Sequence, residues 1–156
     1  MKTLTDNQFK IIVQEIQDQI DYEYDSKYAK AFGVMLNDNL DIQIESIKTS
    51  ADVYELINDS PEVFAAVNEY DLITIATCGW AAPLNKDNDE NNDIAPSQHP
   101  ERRRVRLLTT ANTNSQFGSS IAFNDNPDEP VFDYGNARGA LADAVMELIN
   151  TAKKEG

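Results

Sequence analysis

The chain has 156 residues, with 27 Asp and Glu against 13 Lys and Arg, so its formal net charge is −14. A chain of this length is typical of one domain, and a hydrophobic content of 41% is enough for a buried core. The negative field disfavours direct binding to nucleic acid or to an anionic membrane, and it favours partners with a basic surface. We therefore expect a single domain over residues 1–156, with neither nucleic acid nor membrane among its direct partners.

The rare residues limit the chemistry further. A single Cys excludes an internal disulfide, and a single His excludes a His-rich metal site. The N-terminal residues contain no apolar segment of the signal-peptide type, and no apolar run reaches the roughly 20 residues that span a bilayer. These observations predict a cytoplasmic protein without cofactor or metal.

Helical periodicity predicts a first helix, which begins after a capping box formed by Thr5 and Gln8. Tyr24 and Tyr28 extend its apolar stripe, so we expect the helix to continue towards Ala31. The stripe contains Phe9, Ile12, Val13, Ile16 and Ile20. The opposite face of this helix contains Asp18, Asp21 and Asp25.

The next segments mix strand and helix signals. Residues 40–47 alternate apolar and polar side chains, which indicates a short strand with one wet face. Ser50 is expected to open a second helix. A third helix is predicted to begin with Ser60 as its N-cap and Pro61 at its first position.

The second half predicts an antiparallel sheet. Strands are expected at 72–77, 104–110 and 117–123, with a hairpin loop at 112–115, and Asn124–Pro127 is expected to end the last strand. A terminal helix is predicted from about Asn136 to Lys153. The fold class is therefore α+β: three N-terminal helices, an antiparallel sheet of three or four strands, and a C-terminal helix packed on the sheet.

Two segments resemble a group of small uncharacterised proteins encoded by bacteriophages and some bacteria. They are T-C-G-W-A-A-P-L at 77–84 and H-P-E-R-R-R-V-R-L at 99–107. That group pairs a T-x-GWAAP segment with an HP-x-RRRVRL segment and ends in a G-x-A-x-G-x-LADA helix, which here reads Gly135, Ala137, Gly139 and L-A-D-A from 141. The resemblance covers roughly residues 55–150 and implies no activity. A phage origin would favour an accessory protein that acts on a host component.

An alternating stripe is formed by Arg102, Arg104 and Arg106, which a regular strand projects from one sheet face. One interpretation is an anion site for phosphate or carboxylate, with His99 beside it, because guanidinium presents a planar fork of donors. The other, which we favour, is pairing with the protein's own abundant carboxylates. Carboxylates of Glu62, Glu69 or the terminal helix over the stripe would favour a function in protein interaction.

Cys78 and His99 lie near the two ends of a long polar loop, so they are candidates for a thiolate–imidazole pair. A Cys at a buried strand end is more often a small hydrophobic residue, and we predict no catalytic residue. Trp80 is either an exposed anchor for a partner or a lid on the core, and the lid is favoured.

The polar loop at 85–98 is expected to be exposed and acidic. Its residues 87–93 place oxygen atoms at alternate positions, as a calcium loop does. However, Asn92 replaces the required Gly and Gln98 replaces the bidentate Glu, so a solvated loop is the favoured interpretation.

The leading functional hypothesis is a non-enzymatic, acidic interaction protein. It would be a phage-type accessory factor for host takeover that binds a basic surface of a host protein in the cytosol, as a DNA mimic or inhibitor. Candidate partner contacts are Trp80, Asp18, Asp21 and Asp25. The alternatives are a binding module or small enzyme for a phosphate-bearing ligand at the arginine stripe, and a structural or virion-associated protein.

Overall fold

The computed structural model describes residues 3–20, 28–81, 98, 100–134 and 140–155. The chain has an α+β fold that begins with a helix, builds a six-stranded antiparallel sheet and ends with a helix packed on other helices and on the sheet. In chain order the elements are α1 (Asp6–Gln19), β1 (Ala29–Leu36), β2 (Ile42–Ser50), α2 (Val53–Asn58), α3 (Pro61–Glu69), β3 (Leu72–Ala81), β4 (Arg103–Ala111), β5 (Phe117–Phe123), β6 (Asn126–Tyr134) and α4 (Ala140–Glu155).

The strands lie in the order β2-β1-β3-β4-β5-β6, and every neighbouring pair is antiparallel. β1 pairs with both β2 and β3, so α2 and α3 form the crossover that returns the chain across β1. The prediction of three or four strands was wrong, because the sheet has six. The prediction of three helices before the sheet was also wrong, because β1 and β2 lie between the first helix and the second.

The first helix begins as predicted and ends earlier. The backbone amide of Gln8 donates to the Thr5 hydroxyl at 3.1 Å, and the Thr5 amide donates to the Gln8 side-chain oxygen at 2.9 Å, which confirms the capping box. Ile20 is the C-cap, and β1 begins at Ala29. The expected extension towards Ala31 was therefore wrong.

The helix boundaries of the crossover were partly predicted. Asp52 rather than Ser50 caps α2, since its carboxylate accepts from the amides of Tyr54 at 2.8 Å and Glu55 at 3.2 Å. Ser60 is the N-cap of α3 and Pro61 opens it, as expected, although the Ser60 side chain makes no capping hydrogen bond.

The expected end of the strand at Asn124 is confirmed, because β5 ends at Phe123. Asn124 and Asp125 form a tight turn, and the chain then runs back as β6, a strand that the sequence did not predict. β6 is an edge strand, which explains why it tolerates Pro127 and Pro130. The described part of the terminal helix begins at Ala140, so its expected start at Asn136 lies outside the described residues.

Each face of the sheet is covered by a different layer. On the α1 face, apolar residues of α1 pack against Val34, Leu72, Ala76 and Leu108. On the opposite face, called here the three-helix face, α2, α3 and α4 pack over a second buried cluster. The strand residues of that cluster include Ala31, Ile73, Ile75 and Ala111. Among the described residues, no helix is both long and apolar enough to cross a membrane.

Candidate functional site

The pairing of β3 with β4 brings the unusual residues of the sequence together. Trp80 lies directly opposite Arg104, and Cys78 lies opposite Arg106. Residues opposite one another in a ladder share a sheet face, and Cys78 packs against the cluster on the α1 face, so this set lies on that face. The arginine–tryptophan cluster is defined here as Trp80, Arg102, Arg104 and Arg106.

Trp80 contacts two of the three arginines of this cluster. The guanidinium carbon of Arg104 lies 4.9 Å from the centre of the indole ring, and that of Arg102 lies 5.0 Å from it. Both distances are within the range of attractive cation–π contacts. Trp80 is 37% exposed, so the ring is neither a fully buried lid nor a free anchor.

Arg106 extends the cluster towards α1. Its Nη1 donates to the backbone carbonyl of Ile20 at 3.4 Å, and Ile20 is the C-cap of α1. The carbonyls at a helix C-terminus carry the negative end of the helix dipole, so a guanidinium is favourable there. Each of the three stripe arginines therefore has a contact within the protein.

Arg103 points to the opposite sheet face. Its Nε donates to Asp125 Oδ2 at 2.9 Å, its Nη2 contacts Asp125 Oδ1, and its guanidinium carbon lies 4.0 Å from the centre of the Phe123 ring. The hydrogen bond from Arg103 lowers the pKa of Asp125, and Asp125 raises the pKa of Arg103. Both side chains are exposed, so this pair adds little to overall stability. It connects β4 to the turn between β5 and β6.

The carboxylates that were a possible cover for the stripe lie elsewhere. Glu62 accepts a hydrogen bond from Lys48 Nζ at 3.1 Å on the three-helix side. A backbone hydrogen bond and then the Lys48 contact lower the pKa of Glu62. Because α3 and α4 pack on the three-helix face, Glu62, Glu69 and the terminal helix do not cover the stripe. Pairing of the stripe with other carboxylates of the protein stays a prediction.

Of the remaining predicted site residues, Asp18 alone is among those that the structure describes. Asp18 is exposed on the last turn of α1. Asp21, Asp25 and His99 lie outside the described residues, as do 85–97 of the acidic loop with the possible calcium ligands. In the part of the chain that the structure describes, no three His, Cys, Asp or Glu side chains lie close enough to hold a metal.

A second feature is a helical surface that sequence reasoning did not assemble. The acidic layer is defined here as six exposed carboxylates on or beside α2, α3 and α4: Glu55, Asp59, Glu62, Glu69, Asp143 and Glu147. The only basic residues of these three helices are Lys153 and Lys154, at the end of α4. One feature of the sequence could have indicated this surface: no Lys or Arg occurs between Lys48 and Lys86.

The acidic layer and the arginine–tryptophan cluster lie on opposite sides of the sheet. Comparison with known proteins gives no matching family model, no matching curated protein and no matching solved structure. Functional inference therefore depends on these two surfaces.

Proposed function

We propose that the protein is a non-enzymatic interaction protein whose acidic layer binds a basic surface of another protein. One observation supports this most strongly: six carboxylates are exposed on a helical layer whose own basic residues lie only at the end of α4, and one of the six, Glu62, contacts Lys48 of β2. Clustered charge of one sign accelerates encounter with an oppositely charged surface and selects against acidic partners.

The finer proposal concerns the partner. A rigid array of carboxylates presents negative charge as a nucleic-acid backbone does, so a basic cleft that normally binds nucleic acid is the matching surface. Together with the resemblance to phage-encoded proteins, this favours a host nucleic-acid-handling protein that is blocked in the host cytosol. Helix packing holds the array in place, which reduces the ordering cost of binding.

A capture experiment tests this proposal. The immobilised protein should retain a specific basic partner from host-cell lysate at low salt and release it as salt rises, because screening weakens contacts between exposed charges. Capture of no specific partner at low salt would contradict the proposal.

A second candidate function is binding of a phosphate-bearing ligand at the arginine–tryptophan cluster. The observation that favours it is the β3–β4 register, which gathers guanidinium groups around Trp80 on one face. A nucleotide or inorganic phosphate should then raise the melting temperature, and Arg104→Ala should abolish the rise. Arg103→Ala, on the other face, is the control, and the absence of any shift in the wild-type protein would remove this candidate.

A further inference from the structure

A groove opens between α2, α3 and α4, within the acidic layer. Its volume is about 390 Å³. Its floor is apolar, because Ile57 and Leu148 belong to the buried cluster and Phe64 packs against that cluster while remaining half-buried. Asn58, Glu147 and Thr151 complete the lining.

One carboxylate lines this groove, and two more lie close in sequence to its lining residues. Glu147 is part of the lining itself, and Asp59 directly follows the lining residue Asn58. Asp143 lies one helical turn before Glu147, on the same side of α4. An apolar floor with carboxylates in and near its wall matches a partner that carries both an apolar side chain and positive charge.

An exposed aromatic residue extends the same surface. Tyr54 is 42% exposed and lies one helical turn before Asn58, so both point to the same side of α2. Apolar contact is therefore available along α2 as well as inside the groove, which suits an elongated ligand better than a compact one.

The groove is held in shape by contacts between its walls. The side-chain amide of Asn68 on α3 donates to the backbone carbonyl of Ala152 on α4 at 2.9 Å. The Lys48–Glu62 contact joins α3 to β2. Because the groove is already formed, binding of a ligand does not require the entropy loss of ordering it.

We propose that this groove receives an apolar side chain from a basic amphipathic helix of the partner, while the Lys and Arg residues of that helix contact the acidic layer. Helices that dock in grooves place their apolar anchors at helical spacing, and a basic amphipathic helix supplies the matching charge. The cavity lies near the lower end of the roughly 300–1,000 Å³ that ligand pockets span, so it suits one or two side chains. The inference rests on the proposed function and specifies the segment that the acidic layer recognises.

Two labelled peptides and two variants test this inference. The first peptide contains Lys and Leu with all leucines on one helical face, and the second has the same composition in shuffled order, so charge is equal and amphipathicity is lost. Thr151→Arg places a bulky cation in the groove wall. Asn150→Arg, at the neighbouring exposed position outside the lining, makes the same charge change as the matched control.

The amphipathic peptide should bind at low salt about tenfold more tightly than the shuffled one, and Thr151→Arg should weaken it about tenfold while Asn150→Arg has a much smaller effect. Circular dichroism establishes that both variants fold. Equal affinities for the two peptides, with equal effects of the two variants, would contradict helix binding in the groove. Binding of a basic partner by the acidic layer would remain supported. Failure of both peptides to bind at low salt would contradict the proposed function as well.

Discussion

Trp80 lies directly opposite Arg104 in the β3–β4 ladder, and the Arg104 guanidinium carbon lies 4.9 Å from the centre of the Trp80 ring. The same ring also receives Arg102, at 5.0 Å. One aromatic side chain thus contacts two like charges, and each cation–π contact offsets part of their mutual repulsion. This relationship gives the arginine stripe a structural role at the end of the sheet, whether or not the stripe also binds a ligand.

Removing the ring should therefore destabilise the fold. We expect Trp80→Ala to lower the free energy of unfolding by about 1–3 kcal/mol, because it removes two cation–π contacts of about 0.5–1 kcal/mol each and the buried part of the ring. Chemical denaturation measures the change. Trp80→Phe, which keeps an aromatic face, should lose much less, whereas an unchanged free energy for Trp80→Ala would show that the ring stabilises nothing.

A second prediction concerns Gly33 in β1, where the ring of Tyr70 fills the space beside the backbone. A Cβ at Gly33 would lie 2.5 Å from three Tyr70 ring carbons. We expect Gly33→Ala to cost about 1–3 kcal/mol of unfolding free energy, since the ring cannot yield without breaking its own packing. Gly79→Ala is the control, because a Cβ there meets nothing within 4 Å.

A double-mutant cycle identifies the cause of that loss. The cost of Gly33→Ala should shrink by at least about 1 kcal/mol when Tyr70→Ala removes the ring, because residues in contact are energetically coupled. Equal costs in the two backgrounds would show that contact with Tyr70 is not responsible.

The third prediction is a pH effect at the β5–β6 turn. The hydrogen bond from Arg103 lowers the pKa of Asp125 below its ordinary value of 3.8. Because the folded pKa is lowered, the stabilisation is present above pH 3.8 and is lost as pH falls through the folded pKa. NMR titration of the Asp125 carboxyl carbon should show this low pKa, and Arg103→Met should return it towards 3.8. Titration of Asp125 at or above 3.8 in the wild-type protein would contradict the pairing.

The sequence predicts the α+β class and most elements, and it misses two strands for physical reasons. β1 is a central strand, so it lacks the clean alternation of a half-buried strand, and its Gly33 suggests a break where it provides space for Tyr70. β6 contains Pro127 and Pro130, which argue against a strand unless it lies at a sheet edge. Neither strand's place in the sheet is a local property of its sequence.

The candidate site was also predicted only in part from local sequence. Alternation alone places Arg102, Arg104 and Arg106 on one face, but only the β3–β4 register places Trp80 among them. Glu62, Glu69 and the terminal helix, which were a possible cover for the stripe, lie on the other face, because α2, α3 and α4 all pack there. The acidic layer likewise depends on the packing of α4 beside α2 and α3, which no local pattern specifies.

The central claim is that the acidic layer, and not net charge alone, binds the partner. Glu69→Lys/Glu147→Lys reverses two charges within the layer, and Asp128→Lys/Glu129→Lys reverses two on β6, so both double variants change the net charge from −14 to −10. The most direct measurement compares how much partner each immobilised protein retains from host-cell lysate at low salt. We predict a loss of about tenfold for the layer variant and of less than about twofold for the β6 variant. Equal retention by the two variants would contradict the claim.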